Sequence, residues 1–158
     1  MSRAFVKETD GGDDLPERPV SPHRNLVTRR GLRLIEAEIA RLREAIGAAS
    51  ASGDREAIAR ASREARYWTQ RRATAEPIDP PAGGEEATFG AAVTVTGRDG
   101  ARRTFRIVGE DEADPAAGRI AWIAPVARAL VGNGVGDEVA LPSGTVEIVA
   151  VDLTPEPA

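Results

Sequence analysis

From Thr28 onward the apolar residues fall at helical spacing. Leu32, Ile35, Ile39, Leu42 and Ile46 step by three and four, the rhythm of a coiled-coil seam. Arg, Glu and Ala fill most positions between them and favour or tolerate a solvated helix face. Thr28 stands just before the run as an N-cap. The pattern breaks at Ser50-Ala51-Ser52-Gly53-Asp54, where Gly53 can supply a positive φ and Asp54 can cap a new helix. A second run, from Arg55 to about Ala75, carries the stripe Ile58, Ala61, Ala65 and Trp68. Two helices joined by so short a turn predict an antiparallel hairpin over 28–76.

Beyond the hairpin the period changes. Pro77, Pro80, Pro81, Gly83 and Gly84 predict a linker over 77–84. Runs 91–96 and 103–108 flank Gly97-Arg98-Asp99-Gly100 and read as a β-hairpin. A third strand is expected over 119–123 and a short helix over 126–130. Runs 139–141 and 145–151 flank Pro142-Ser143-Gly144 and form a last hairpin. The fold class is therefore α+β: a helical hairpin, then a small antiparallel β-sheet domain over 85–152 with one short helix, and a tail over 153–158. Its expected core is Phe89, Val93, Val95, Phe105, Ile107, Ile120, Ile123, Leu130, Val139, Ile148 and Val149. Residues 1–27, rich in Gly, Asp and Pro, read as a disordered leader in which Ala4-Phe5-Val6 is an unpacked apolar cluster.

Composition narrows the chemistry. With no Cys, disulfides and thiolate metal sites are excluded. His23 is the sole His, which excludes a His-based triad or metal cluster within one chain. No apolar run approaches the roughly 18 residues of a membrane span, and the N-terminus lacks a signal-peptide core, so a cytoplasmic protein without membrane contact is expected. Charge is divided unevenly. Residues 28–76 carry 11 Arg against 7 acids, whereas residues 77–158 carry 6 Arg against 13 acids. A basic arm on an acidic body is not the footprint of a simple DNA-binding domain. It suits a protein that sets each end against a different partner surface.

Four blocks in fixed order carry a resemblance: Phe105-Arg106-Ile107-Val108-Gly109, Asp111-Glu112-Ala113-Asp114-Pro115, Pro125-Val126-Ala127-Arg128-Ala129-Leu130 and Val135-Gly136-Asp137-Glu138-Val139. Upstream, Asn25-Leu26-Val27-Thr28-Arg29-Arg30-Gly31 with Leu34 and Glu38, then Arg66-Tyr67-Trp68-Thr69 and Pro77-Ile78-Asp79, extend it. Over roughly residues 25–152 the chain resembles the Gre-type (GreA/GreB) bacterial transcription elongation factors. That resemblance implies an FKBP-like C-terminal domain and binding to RNA polymerase at its secondary channel. It implies docking through Asp111, Glu112, Pro125, Val126, Ala127 and Arg128 against a coiled coil at the channel rim. The chain has Ala124 where the family usually has Ser before that Pro.

In cleavage-stimulating members the hairpin tip lends carboxylates to the Mg²⁺ of the polymerase active site, because Mg²⁺ takes oxygen ligands. Asp54 and Glu56 are the tip carboxylates here. Ala57, Ile58 and Ala59 stand where the family's tip carries Asn and a further acid, and Arg55 and Arg60 add positive charge. Arms of about 22 residues span roughly 33 Å, several turns less than the family's. The short arm and altered tip are similar to the short-coiled-coil, Rnk-like members. They favour a channel-occupying polymerase regulator over a factor that promotes cleavage of backtracked RNA. In either case the chain is an accessory factor rather than an enzyme, a monomer with no cofactor of its own. Its nucleic-acid contact would be indirect, through the transcription complex. A different reading is a non-transcriptional coiled-coil module that dimerises through Trp68, Arg60, Arg63 and Arg71.

Overall fold

The structure, a computed structural model, describes residues 15–158. The expected apolar cluster at Ala4-Phe5-Val6 lies outside the described residues. Strand β1 (Leu26–Val27) leads into helix α1 (Arg29–Ser52), which turns back through Gly53 into helix α2 (Arg55–Thr74) and strand β2 (Glu76–Pro77). Thr28 caps α1 by accepting from the Gly31 N–H, and Asp54 caps α2 by accepting from the Ala57 N–H. Gly53 adopts φ 71°, the left-handed conformation that closes α1 at little steric cost. Of the seam residues, Ile35, Ile39 and Leu42 are buried. Ile35 and Ile39 join Val27, with Leu32 and Trp68 packed against them, in a small second core at the hairpin's lower half.

Leader residues 15–27 are ordered, which corrects the expected disorder for that stretch. β1 pairs with β2 in parallel, so the chain's entry to the hairpin is stitched to its exit. Leu26 and Val27 are buried. Residues before β1 lie along α2. Arg18 pairs with Glu64 at 2.8 Å and sets its guanidinium 3.7 Å from the centre of the Tyr67 ring. Glu17 pairs with Arg66 and Arg63 donates to the Pro16 carbonyl. Composition misjudged this segment because residues 16–18 are anchored by charges and a ring on another element, and only Leu26 and Val27 at its end are buried apolar residues.

The second domain is a five-stranded sheet of β3 (Ala92–Gly97), β4 (Arg102–Val108), β5 (Arg119–Ala121), β6 (Glu138–Leu141) and β7 (Gly144–Asp152), in the order β5-β4-β3-β7-β6. Helix α3 (Pro125–Leu130) packs against it through the fully buried Ala127 and Leu130. The sheet is mixed, not wholly antiparallel, because β5 runs parallel to β4. The crossover over 109–118, built from two short 3₁₀ turns, makes that direction possible.

The expected core is buried except at two positions. Ile123 lies in the turn before α3 and is half-buried. Val149 is the extra residue of a β-bulge, since Thr94 faces Ala150 while Val95 faces Ile148. The bulge shifts the alternation so that Val151, Ile148 and Val146 all reach the core. Among the described residues no helix is long and apolar enough to cross a membrane.

Candidate functional site

At the hairpin tip Asp54 and Glu56 are both exposed and do not converge. Asp54 Oδ1 accepts from the Ala57 N–H at 3.0 Å, the local bond of a helix cap. Glu56, with 84% of its side chain exposed, pairs with Arg60 one turn along α2 at 3.4 Å. An acid in the first helical turn is favoured by the helix dipole alone. Among the described residues no cluster of three or more His, Cys, Asp or Glu is arranged to hold a metal ion.

The base of the hairpin is built differently. The 3₁₀ turn Glu110–Glu112 follows β4 and presents two successive carboxylates to the two helices. Asp111 accepts from the Tyr67 hydroxyl at 2.6 Å and from Arg71 at 2.5 Å, both on α2. Glu112 accepts from the Thr28 hydroxyl at 2.6 Å and from Arg30 at 3.0 Å, at the start of α1, and from Arg119 of β5 at 2.6 Å. Asp111 thus grips one arm and Glu112 the other. Gly31 makes room for this. A Cβ there would stand 2.8 Å from Glu112 Oε2, so a helix-interior glycine leaves space for the carboxylate. Asn25 closes the joint by donating to the carbonyl of Arg71 at 2.7 Å.

Ionisation follows this geometry. Partial burial, and then the hydrogen bond to ionised Asp111, push the Tyr67 phenol up to about 12. Arg119, held first by Glu156 and then by Glu112, stays protonated beyond the ordinary guanidinium range. The same Arg119 contact holds the Glu156 carboxyl below its usual range and pins the C-terminal tail over β5.

These contacts revise the expected docking set. Asp111 and Glu112 are turned inward and spent within the chain. Ala127 is fully buried and Val126 half-buried against the core, while Pro125 and Arg128 face outward. Ala124 gives α3 no side-chain cap bond, so the hydroxyl missing from the sequence is not replaced. Val131 and Val135, which follow α3, are exposed apolar residues that sequence reasoning did not single out. Nor did it assign Tyr67, Arg71 and Arg119 to the joint. One signal was present. The α2 stripe 58-61-65-68 continues at 71, and an Arg on an apolar stripe calls for a buried carboxylate. Arg71 is 1% exposed.

The proposed dimer face is likewise occupied. Arg71 is buried against Asp111, Arg63 holds Pro16 and Glu64, and Trp68 packs on the small core with Arg18 above it.

Residues 82–153 match the model of the family described as transcription elongation factor, GreA/GreB, C-term. The transcription elongation factor GreA of Methylobacterium nodulans is 36% identical over 152 residues, covering 81% of this chain and 96% of that protein. The chain belongs to the GreA/GreB family. A second relative, the transcription elongation factor GreB of Neisseria meningitidis serogroup A, is 44% identical over 92 residues, 54% of this chain and 55% of that protein. Among solved structures, GreA factor homolog 1 of Thermus thermophilus aligns at 20% identity with a TM-score of 0.39, covering 82% of this chain and 99% of that one. The Methylobacterium alignment spans more positions than the residues this chain contributes to it, so that GreA has residues without a counterpart here. The chain is a Gre-type elongation factor whose hairpin tip carries two acids already engaged locally.

Proposed function

We propose that this protein binds RNA polymerase at the secondary channel and acts there as a channel-occupying regulator of elongation. In this reading the hairpin enters the channel, and Pro125, Arg128 and the apolar residues around α3 meet the rim. The observation that carries it is the state of the tip: Asp54 serves as a helix cap and Glu56 pairs with Arg60. Neither arrangement forms a two-carboxylate ligand set for the Mg²⁺ of the polymerase active site. Arm length supports the same reading. α1 has 24 residues and α2 has 20. At the helical rise these are about 36 and 30 Å long. The protein would act as a monomeric accessory factor in the cytoplasm, and its nucleic-acid contact would pass through the transcription complex.

Stimulated cleavage of backtracked RNA is the second reading, favoured by one observation: Asp54 and Glu56 are the exposed acids at the tip. Stalled, backtracked elongation complexes distinguish the two. The regulator displaces a cleavage-competent factor and produces no cleavage of its own. Cleavage that disappears in Asp54→Ala and Glu56→Ala would establish the second reading instead. Absence of both displacement and cleavage would sink the channel proposal.

A further inference from the structure

At the end of the sheet opposite the joint, the β3–β4 and β6–β7 turns flank a cleft of about 630 Å³. Val95, Phe105, Leu141 and Val146 supply its apolar lining, and Arg98 and Arg103 stand at the rim. Arg103 sets its guanidinium 5.0 Å from the centre of the Phe105 ring, which holds the charge over the cleft. Elsewhere in this domain Arg106 and Arg119 are bound to Glu156, and Arg119 also to Glu112. Neither Arg98 nor Arg103 has a carboxylate partner among the described residues. The acid that shares the rim, Asp99, accepts from the Ala101 N–H at 3.0 Å and is committed to its turn. A net positive rim over an apolar floor therefore sits on a body in which acids outnumber Arg 13 to 6.

We infer that this cleft binds a short extended segment of a partner protein in which an apolar side chain stands beside carboxylates. The apolar side chain would fill the space between Phe105 and Leu141, and the neighbouring carboxylates would meet the two guanidinium forks. Arg is suited to that task because it binds carboxylates in a planar, bidentate manner. A mostly apolar pocket with a few polar groups at its mouth is the usual form of a specific binding site. A nucleic acid fits less well. Its backbone would meet an acidic body with few cations to neutralise phosphates. The inference does not depend on how the hairpin meets polymerase.

The test uses the full chain and a fluorescein-labelled pentapeptide, acetyl-Asp-Leu-Glu-Leu-Asp-amide, read by fluorescence polarisation. The expected result is saturable binding that weakens by about tenfold or more in the Arg98→Glu/Arg103→Glu variant. Amide chemical-shift changes should gather on 97–105 and 141–146. The same peptide with Lys in place of its acids, titrated against the unaltered protein, should bind more weakly, and this arm needs no variant to fold. Four results would overturn the inference: no saturation at millimolar protein, equal binding by the double variant, shifts confined to other residues, or tighter binding of the Lys peptide or of a single-stranded oligonucleotide.

Discussion

The two ends of the hairpin are made of similar residues and used in opposite ways. At the tip, two carboxylates are exposed, and each makes one contact within its own helical turn. At the base, two carboxylates are inward, and together they take four hydrogen bonds from the two helix arms, far away in sequence, and a fifth from Arg119 of the neighbouring strand. Exposed ion pairs stabilise a fold by little, whereas breaking a buried one leaves an uncompensated charge. Free energy is therefore concentrated in the direction of the arm and not in the chemistry at its end. That distribution suits a protein that acts by placing a rigid object.

The largest effect should come from the base. Glu112→Ala removes an acceptor whose side chain is 3% exposed and leaves Arg119 and the Thr28 hydroxyl without it. Arg119 keeps Glu156, so we expect a loss of about 2–3 kcal/mol in chemical denaturation. Gly31→Ala displaces the same carboxylate without deleting it, and alanine's better helix propensity returns about 1 kcal/mol. Its cost should be smaller. Equal, near-zero values for both would mean the joint is not the rigid element described here.

An intermediate effect belongs to Tyr67, whose titration can be followed alone because it is the only tyrosine in the chain. In the folded protein its phenolate absorbance should appear near pH 12, against 10 for an unperturbed phenol. A folded-state value raised in this way contributes stability that is complete below the unfolded value and lost as pH rises through the folded one. Alkaline destabilisation should therefore set in above pH 10 and be absent in Tyr67→Phe, which at neutral pH should cost about 1–2 kcal/mol. An unfolding curve of Tyr67→Phe that falls off with alkali as the parent's does would remove Tyr67 from the joint.

The smallest effects are expected at the tip. Asp54→Ala should cost about 1 kcal/mol, as other lost N-caps do. Glu56→Ala should cost about 0.3 kcal/mol or less, since an exposed pair one turn apart on a helix contributes no more. A loss at the tip that rivals the base would reverse the comparison.

Local order was readable in the sequence, and long-range order was not. The seam from Leu32 to Ile46, the Thr28 cap and the Gly53-Asp54 turn are each written in adjacent residues, and the structure has all three. The strands of the second domain follow their alternation, and the parallel β5 escaped because strand direction is not encoded in alternation. Val149 was misplaced because a bulge changes parity without changing composition. The joint was hidden for a physical reason. Its bonds to the two helices link residues 40 to 84 positions apart, and an acid destined for a distant helix reads like one meant for a partner. Of the candidate site, the tip acids and Pro125 and Arg128 lie on the surface. The inward turn of Asp111 and Glu112 could only be inferred from Arg71 on an apolar stripe.

The parallel pairing of β1 with β2 has one more consequence. It closes the hairpin at its foot, so residues 28–75 form a loop whose two ends are fixed beside each other. Adding or removing seven residues from each arm in register would change its reach by about 10 Å while keeping the seam in phase. None of the joint's contacts would need to move. The arm is in effect a ruler clamped at its zero mark, and its length can vary independently of the domain that holds it.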